Sequence, residues 1–210
     1  MKPVETGVGL DGATWSDAEK LQQAAGTTDP MDMISPYRFS DPIAPLSAAR
    51  RAGCHIEPHR LLHTFAQLAA RHRLMLVEGI GGIRVPLSDT WDNTDLAAAL
   101  ALPVLVVGRA ELGGVNHALL TLDALHHRNL CVLAVALIRR QPDADCQSNP
   151  AAELQEETTV ELLKEQGRVR VIGPLRHEKE LQRDWLHGLR QLTGDSDMHT
   201  LVDLIMTSVS

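Results

Sequence analysis

Four short apolar runs that do not alternate with polar residues, Leu74–Val77, Pro103–Val107, Leu130–Ile138 and Val169–Ile172, constrain this chain more than any other feature. A strand covered by helices on both sheet faces reads as a continuous apolar run, whereas a strand with one wet face alternates. Helical spacing fills the intervals. Glu57–Arg73 gathers Leu61, Leu62, Phe65, Leu68 and Ala69 on one side, and the alanine-rich Asp92–Leu100 stops before Pro103. Val115–His127 turns Leu119, Leu122 and Leu125 inward, and Ala151–Glu165 and Glu178–Leu192 complete the set. Strands alternating with helices at intervals of about 25–35 residues predict stacked βαβ units. The expectation is one α/β domain over residues 1–210, with a mostly parallel sheet and helices on both faces.

Three segments fall outside that rhythm. Gly26–Ala44 is broken by prolines and reads as a long ordered loop. Asp195–Ser210, with its apolar Leu201–Met206, reads as a tail that packs, frays or adds an edge strand. Met1-Lys2-Pro3-Val4 reads as the last residues of a strand that runs straight into a polar loop. The domain is therefore expected to be incomplete at its N-terminus.

Charge and cysteine usage narrow the partners. A formal net charge of -7, with basic pairs only at Arg50-Arg51 and Arg139-Arg140, gives nucleic acid no local stripe to bind. No apolar segment reaches the roughly 18 residues needed to span a bilayer, and MKPVETGVGL lacks the pattern of a secretory signal. Cys54, Cys131 and Cys146 lie far apart and show no metal or disulfide spacing. A cytoplasmic protein with neither nucleic-acid nor membrane partners is the expectation.

The chemistry concentrates at strand ends. Leu76-Val77-Glu78-Gly79-Ile80-Gly81-Gly82 closes an apolar run with a carboxylate and three glycines in four positions. The carboxyl end of a parallel strand is where such sheets bind ligands. The glycines let the backbone turn tightly and present N–H groups to an anion, and Glu78 suits Mg²⁺, which prefers carboxylate and phosphate oxygens. Lys2, in Lys2-Pro3-Val4-Glu5-Thr6-Gly7, supplies a cation for phosphate, and Thr6 supplies a hydroxyl for a polar substrate. Asp17 opens the first helix and, beside Glu78, would make an ordinary Mg²⁺ pair. Gly113-Gly114-Val115-Asn116-His117 leads into a helix N-terminus, whose free N–H groups accept a carboxylate. His55, His59 and His63, spaced four apart, read as solvent-facing rather than chelating, since no Asp or Cys completes a set. Neither a GxSxG elbow nor a Ser-His-Asp grouping is present.

Taken in order, these segments resemble dethiobiotin synthetase, an ATP-dependent family of biotin biosynthesis. The resemblance rests on KPVETG at Lys2–Gly7, SDAEKLQ at Ser16–Gln22 and SPYRFSDPIAPLSAA at Ser35–Ala49. It continues with VEGIGGIRVPLSDT at Val77–Thr90 and LPVLVVGRAELGGVNHALLTLDAL at Leu102–Leu125. It implies a P-loop NTPase-like fold and closure of 7,8-diaminononanoate with CO2 (or bicarbonate) to a cyclic urea, with ATP as co-substrate and Mg²⁺ as cofactor. By the same resemblance Lys2 is the active-site lysine and Thr6 holds the diamine. Asp17 and Glu78 bind Mg²⁺ and nucleotide, with Gly79, Ile80 and Gly81 on the nucleotide as well. Gly114, Val115 and Asn116 receive the substrate carboxylate from the partner subunit of a homodimer.

The sequence departs from that family at three places. The family's first strand, P-loop and first helix precede its KPVETG segment, and no G-x-x-x-x-G-K-S/T occurs in these 210 residues. Ile138, followed by Arg139, stands where the family reads adenine with asparagine. Leu175-Arg176-His177 keeps only a loose likeness to the base-flanking loop. These departures leave two alternatives beside the family's enzyme: a non-catalytic or regulatory homologue, or a ligase for another amine substrate or nucleotide.

Overall fold

The computed structural model describes residues 1–9, 15–139 and 150–208. Arg140 and Cys146 lie outside these. The chain divides into two compact units, Met1–Ala101 and Leu102–Ser210. Both are α/β with parallel strands.

In the first unit β1 (Val4–Thr6) pairs in parallel with β2 (Tyr37–Phe39), Val4 opposite Tyr37 and Thr6 opposite Phe39. β2 corrects the reading of Gly26–Ala44 as loop throughout. Tyr37 and Phe39 are β-formers on one face of three residues, too few for a periodicity to register. Leu74–Val77 is the converse. It is not assigned as a strand, yet it runs beside the start of the chain. The Met1 amino group donates to Leu76 O at 2.7 Å and the Glu78 N–H donates to Met1 O at 2.9 Å. That is the bonding of a parallel bridge to Val77; Lys2 faces the other way, donating to Ile34 O at 2.8 Å, and the next residue on the Val77 side, Pro3, has no N–H to continue the ladder.

Helices α1 (Asp17–Ala25), α2 (Met31–Ile34), α3 (Pro45–Arg51), α4 (Pro58–Ala69) and α5 (Asn93–Leu100) build the rest of this unit. Its core joins Val4, Tyr37 and Phe39 to Ala48, Ala49, Ile56, Leu61, Leu87 and Leu96. α1 starts on a capping box, Ser16 with Glu19, and ends on Gly26 in the left-handed region. α5 starts on a second box, Asp92 with Asp95.

A buried carboxylate ties the turn after α1 to the end of α4. Asp29 accepts from Thr27 Oγ1 at 2.6 Å, meets His72 Nε2 at 2.5 Å and accepts from Arg71 Nη1 at 3.2 Å. The Thr27 bond, then the His72 bond, hold its carboxyl below the ordinary 3.8, with burial opposing them. A carboxyl lowered on folding contributes stability that is present above its ordinary value and lost as pH falls through the folded value. Acid denaturation below pH 3.8 should therefore be less steep in Asp29→Asn than in the parent. Denaturant midpoints measured against pH read this out, and identical acid limbs would remove the clasp.

In the second unit β3 (Val104–Arg109), β4 (Val132–Ile138) and β5 (Val171–Leu175) form a parallel sheet in the order β3-β4-β5. Successive residues of β4 face opposite ways. Ala134 and Ala136 meet Ile172 and Leu201 of α10 (Ser196–Ser208), so the tail packs as a helix. Val135 and Leu137, fully buried, take the other face. α6 (Gly114–His127) packs on β3 and β4, and α7 (Pro150–Gly167) packs on β5.

The expected helix Glu178–Leu192 is two helices, α8 (Glu180–Arg183) and α9 (Trp185–Leu192). Asp184 breaks it by leaving helical geometry to accept the His187 N–H at 3.0 Å. At Gly188 a Cβ would lie 2.4 Å from Leu181 N, so only glycine lets α9 fold back on α8. Among the described residues no helix is long and apolar enough to cross a membrane.

Candidate functional site

Lys2, just before β1, is the centre of the first unit's polar site. Its side chain is 5% exposed. Nζ lies 2.7 Å from Glu78 Oε1 and 3.4 Å from Asp17 Oδ2, and donates to Gly79 O at 3.2 Å. The two carboxylates are half-exposed, so each keeps oxygens free for solvent or a ligand. An ammonium this deeply buried needs such partners, because an unpaired buried charge is costly. Lys2, Asp17 and Glu78 thus converge, as three separate strand-end and helix-start positions were expected to.

Glu5 is a residue that sequence reasoning missed. It is 4% exposed and accepts the Ala18 N–H at 3.2 Å through Oε1 and Arg38 Nε at 3.3 Å through Oε2. Arg38 Nη2 in turn donates to Ser16 Oγ at 3.1 Å. A buried carboxylate on the first turn of a helix satisfies its orphan N–H groups and its dipole. It also fixes Asp17, the residue next to Ala18. No spacing rule connects Glu5 with residues 16–19 and 38, so the sequence carried no signal for it. Thr6 pairs with Phe39 at the end of β1 and is half-buried.

The loop after Glu78 is held from below. Asn93 Nδ2 donates to Ile80 O at 2.8 Å and to Gly82 O at 2.9 Å, and Arg84 Nη1 lies 2.7 Å from Asp92 Oδ2. Burial alone would raise the Asp92 carboxyl. The Asp95 and Thr94 N–H bonds with the Arg84 charge outweigh it and hold the group below its ordinary value. Gly81 adopts a positive φ of 65°.

In the second unit, Gly114, Val115 and Asn116 form the first turn of α6, after Gly113 at a φ of 91°. A Cβ on Gly114 would lie 2.0 Å from Arg109 O, which explains that glycine by close packing. Ile138 ends β4, 40% exposed, with no polar atom beyond its backbone. Arg139 Nε lies 3.1 Å from Glu156 Oε2. His59 and His63 stack on the exposed face of α4 with ring centroids 6.1 Å apart. Among the described residues no three His, Cys, Asp or Glu side chains gather as a metal set, and Cys54 and Cys131 are free thiols.

Two half-exposed carboxylates are donors of the kind Mg²⁺ takes, since it binds through one or two carboxylates and completes its shell with phosphate oxygens and water. Asp17 and Glu78 fit that ion in donor chemistry.

The sequence model of the AAA domain family matches residues 1–184. The ATP-dependent dethiobiotin synthetase BioD of Anaeromyxobacter dehalogenans (strain 2CP-C) is 46% identical over 145 residues, covering 69% of this chain and 64% of that protein. The proteins of the same name from Aromatoleum aromaticum and Ralstonia nicotianae are each 42% identical over 132 residues. Those matches cover 62% of this chain and 59% and 58% of the relatives. The chain thus spans less than two thirds of the length of the curated relatives it matches. The chain belongs to the AAA domain family, P-loop NTPase-like in fold, and is a homologue of the ATP-dependent dethiobiotin synthetases.

Proposed function

We propose that this chain carries the carbamate-handling and metal-handling part of an ATP-dependent dethiobiotin synthetase. The observation that carries this reading is the buried Lys2 ammonium between Glu78 and Asp17, beside a glycine loop. One amine of 7,8-diaminononanoate captures CO2 as a carbamate, which takes the γ-phosphate of ATP. The second amine then closes the ring to the cyclic urea and releases phosphate. Lys2 stabilises the negative charge shared by carbamate and γ-phosphate. Thr6 hydrogen-bonds the diamine. Asp17 and Glu78 would hold Mg²⁺, which supplies charge neutralisation on the phosphates. The Glu78–Gly81 backbone contacts the nucleotide. The protein works in the cytoplasm as a homodimer, in which Gly114–Asn116 of one subunit receive the substrate carboxylate of the other.

Phosphoryl transfer needs preorganised donors around the phosphates, and a P-loop supplies them through backbone N–H groups and one lysine. Losing one good transition-state donor costs roughly 3–4 kcal/mol. No such segment is among the 210 residues, so we propose that they alone turn over at a negligible rate. The assay follows ADP and cyclic urea from 7,8-diaminononanoate, bicarbonate and MgATP, with an upstream-extended form in parallel. Turnover only in the extended form is the expected result. Equal turnover by both overturns the dependence on outside donors, and no turnover by either overturns the assigned reaction. Exposed Ile138 favours one second reading, a ligase for another nucleotide, because isoleucine offers a base edge neither donor nor acceptor. Faster turnover with a nucleotide other than ATP would select it.

A further inference from the structure

The start of α5 grips the glycine loop by its carbonyls. Asn93 is 6% exposed and spends both amide hydrogens on the loop, on Ile80 O and Gly82 O. Thr94, fully buried, donates Oγ1 to Ile83 O at 3.1 Å. Gly79 passes so close that a Cβ there would lie 3.3 Å from Asn93 Oδ1, and that oxygen has no partner of its own. A trans peptide points its N–H opposite its C=O. With the carbonyls of Ile80, Gly82 and Ile83 turned toward α5, the N–H groups of Gly81, Ile83 and Arg84 face away from it. None of the three has an acceptor among the described residues. Backbone N–H groups that share one side of a turn form an anion-binding concavity.

We infer that Asn93 is a positioning residue, which sets the direction of these N–H groups so that they meet the oxygens of a polyphosphate. The inference rests on the reading of Glu78–Gly81 as the nucleotide contact. Only an amide does this work at position 93. It carries two donors for two carbonyls, whereas an isosteric aspartate carries none and repels both. Thr94 is the second tether, and the Arg84–Asp92 ion pair fastens the far end of the loop.

The test uses the ¹⁵N-labelled 210-residue chain, with inorganic pyrophosphate and Mg²⁺ as the probe. The Gly81, Ile83 and Arg84 amide resonances of the parent should move on titration. Asn93→Asp should weaken pyrophosphate at least about tenfold and loosen Gly79, Gly81 and Gly82 in heteronuclear NOE, with the remaining resonances in place. If that variant fails to fold, Thr94→Val cuts one tether at constant volume and should give a smaller loss in both measurements. Unchanged loop dynamics and unchanged affinity in a folded variant overturn the positioning role. If the parent amides ignore pyrophosphate while the loop still loosens in Asn93→Asp, positioning stands and the nucleotide reading falls.

Discussion

Lys2→Met is expected to slow turnover about 1000-fold while shifting stability by no more than about 1 kcal/mol. The two effects separate because the lysine stem and its charge do different work. Methionine keeps a long unbranched chain in a position that is 5% exposed, so the buried stem is replaced in kind. What disappears is the ammonium, together with its contacts to Glu78 Oε1, Asp17 Oδ2 and Gly79 O. Asp17 and Glu78 are half-exposed and stay solvated without it, so the fold loses little. The reaction loses more. In the proposed reaction carbamate and γ-phosphate both bring negative charge, and without Lys2 they would approach two carboxylates with one fewer cation between them. Lys2→Arg is no rescue, since the planar guanidinium is larger and the space around Nζ is closed by three partners. Single-turnover ADP release, measured in a form of the protein that turns over, reads the rate, and thermal melts read the stability. Retention of more than a tenth of the parent rate by Lys2→Met would show that Lys2 is no more than a structural ion-pair partner.

Lys2, Asp17 and Glu78 were legible one at a time, because each stands where a strand ends or a helix begins, and parallel sheets bring such ends together. Their meeting could be expected from that alone, but the contact that brings it about could not. Lys2 and Glu78 converge through backbone pairing of Met1 with Leu76 and Glu78, a contact that no pattern within one helical turn encodes. The same limit explains the elements that differ. β2 is three residues long and owes its existence to pairing with β1, while residues 74–77 look like a strand and lack a continuous partner. The break at Asp184 was a local choice between two uses of one side chain, and the backbone contact at Gly188 decided it. Glu5 and Asn93 escaped detection for a further reason. Each is buried and polar, and the only cue to such a residue is the set of partners that folding delivers.

In a form of the protein that turns over, Glu78→Gln is expected to abolish Mg²⁺-dependent turnover and leave the fold intact. Glutamine keeps the size and one oxygen of the side chain but removes the charge. At 53% exposure the ion pair with Lys2 is worth little to stability, so the loop geometry should persist, held by Asn93 and Thr94. Two roles for the carboxylate predict different data. If Glu78 only partners Lys2 at 2.7 Å, its loss changes the rate and leaves the Mg²⁺ concentration at half-maximal rate where it was. If it holds the ion, that concentration rises by about tenfold or more, and the affinity for Mn²⁺ read directly by electron paramagnetic resonance falls in step. Asp17→Asn supplies the comparison. Asp17 lies farther from Lys2 and also opens α1, where a negative charge favours the helix dipole, so its loss should cost a few tenths of a kcal/mol in stability as well. A matching weakening of Mn²⁺ in both variants assigns the ion to the pair. Full activity with unaltered Mn²⁺ affinity in Glu78→Gln would end the proposed role of Glu78 as a metal ligand.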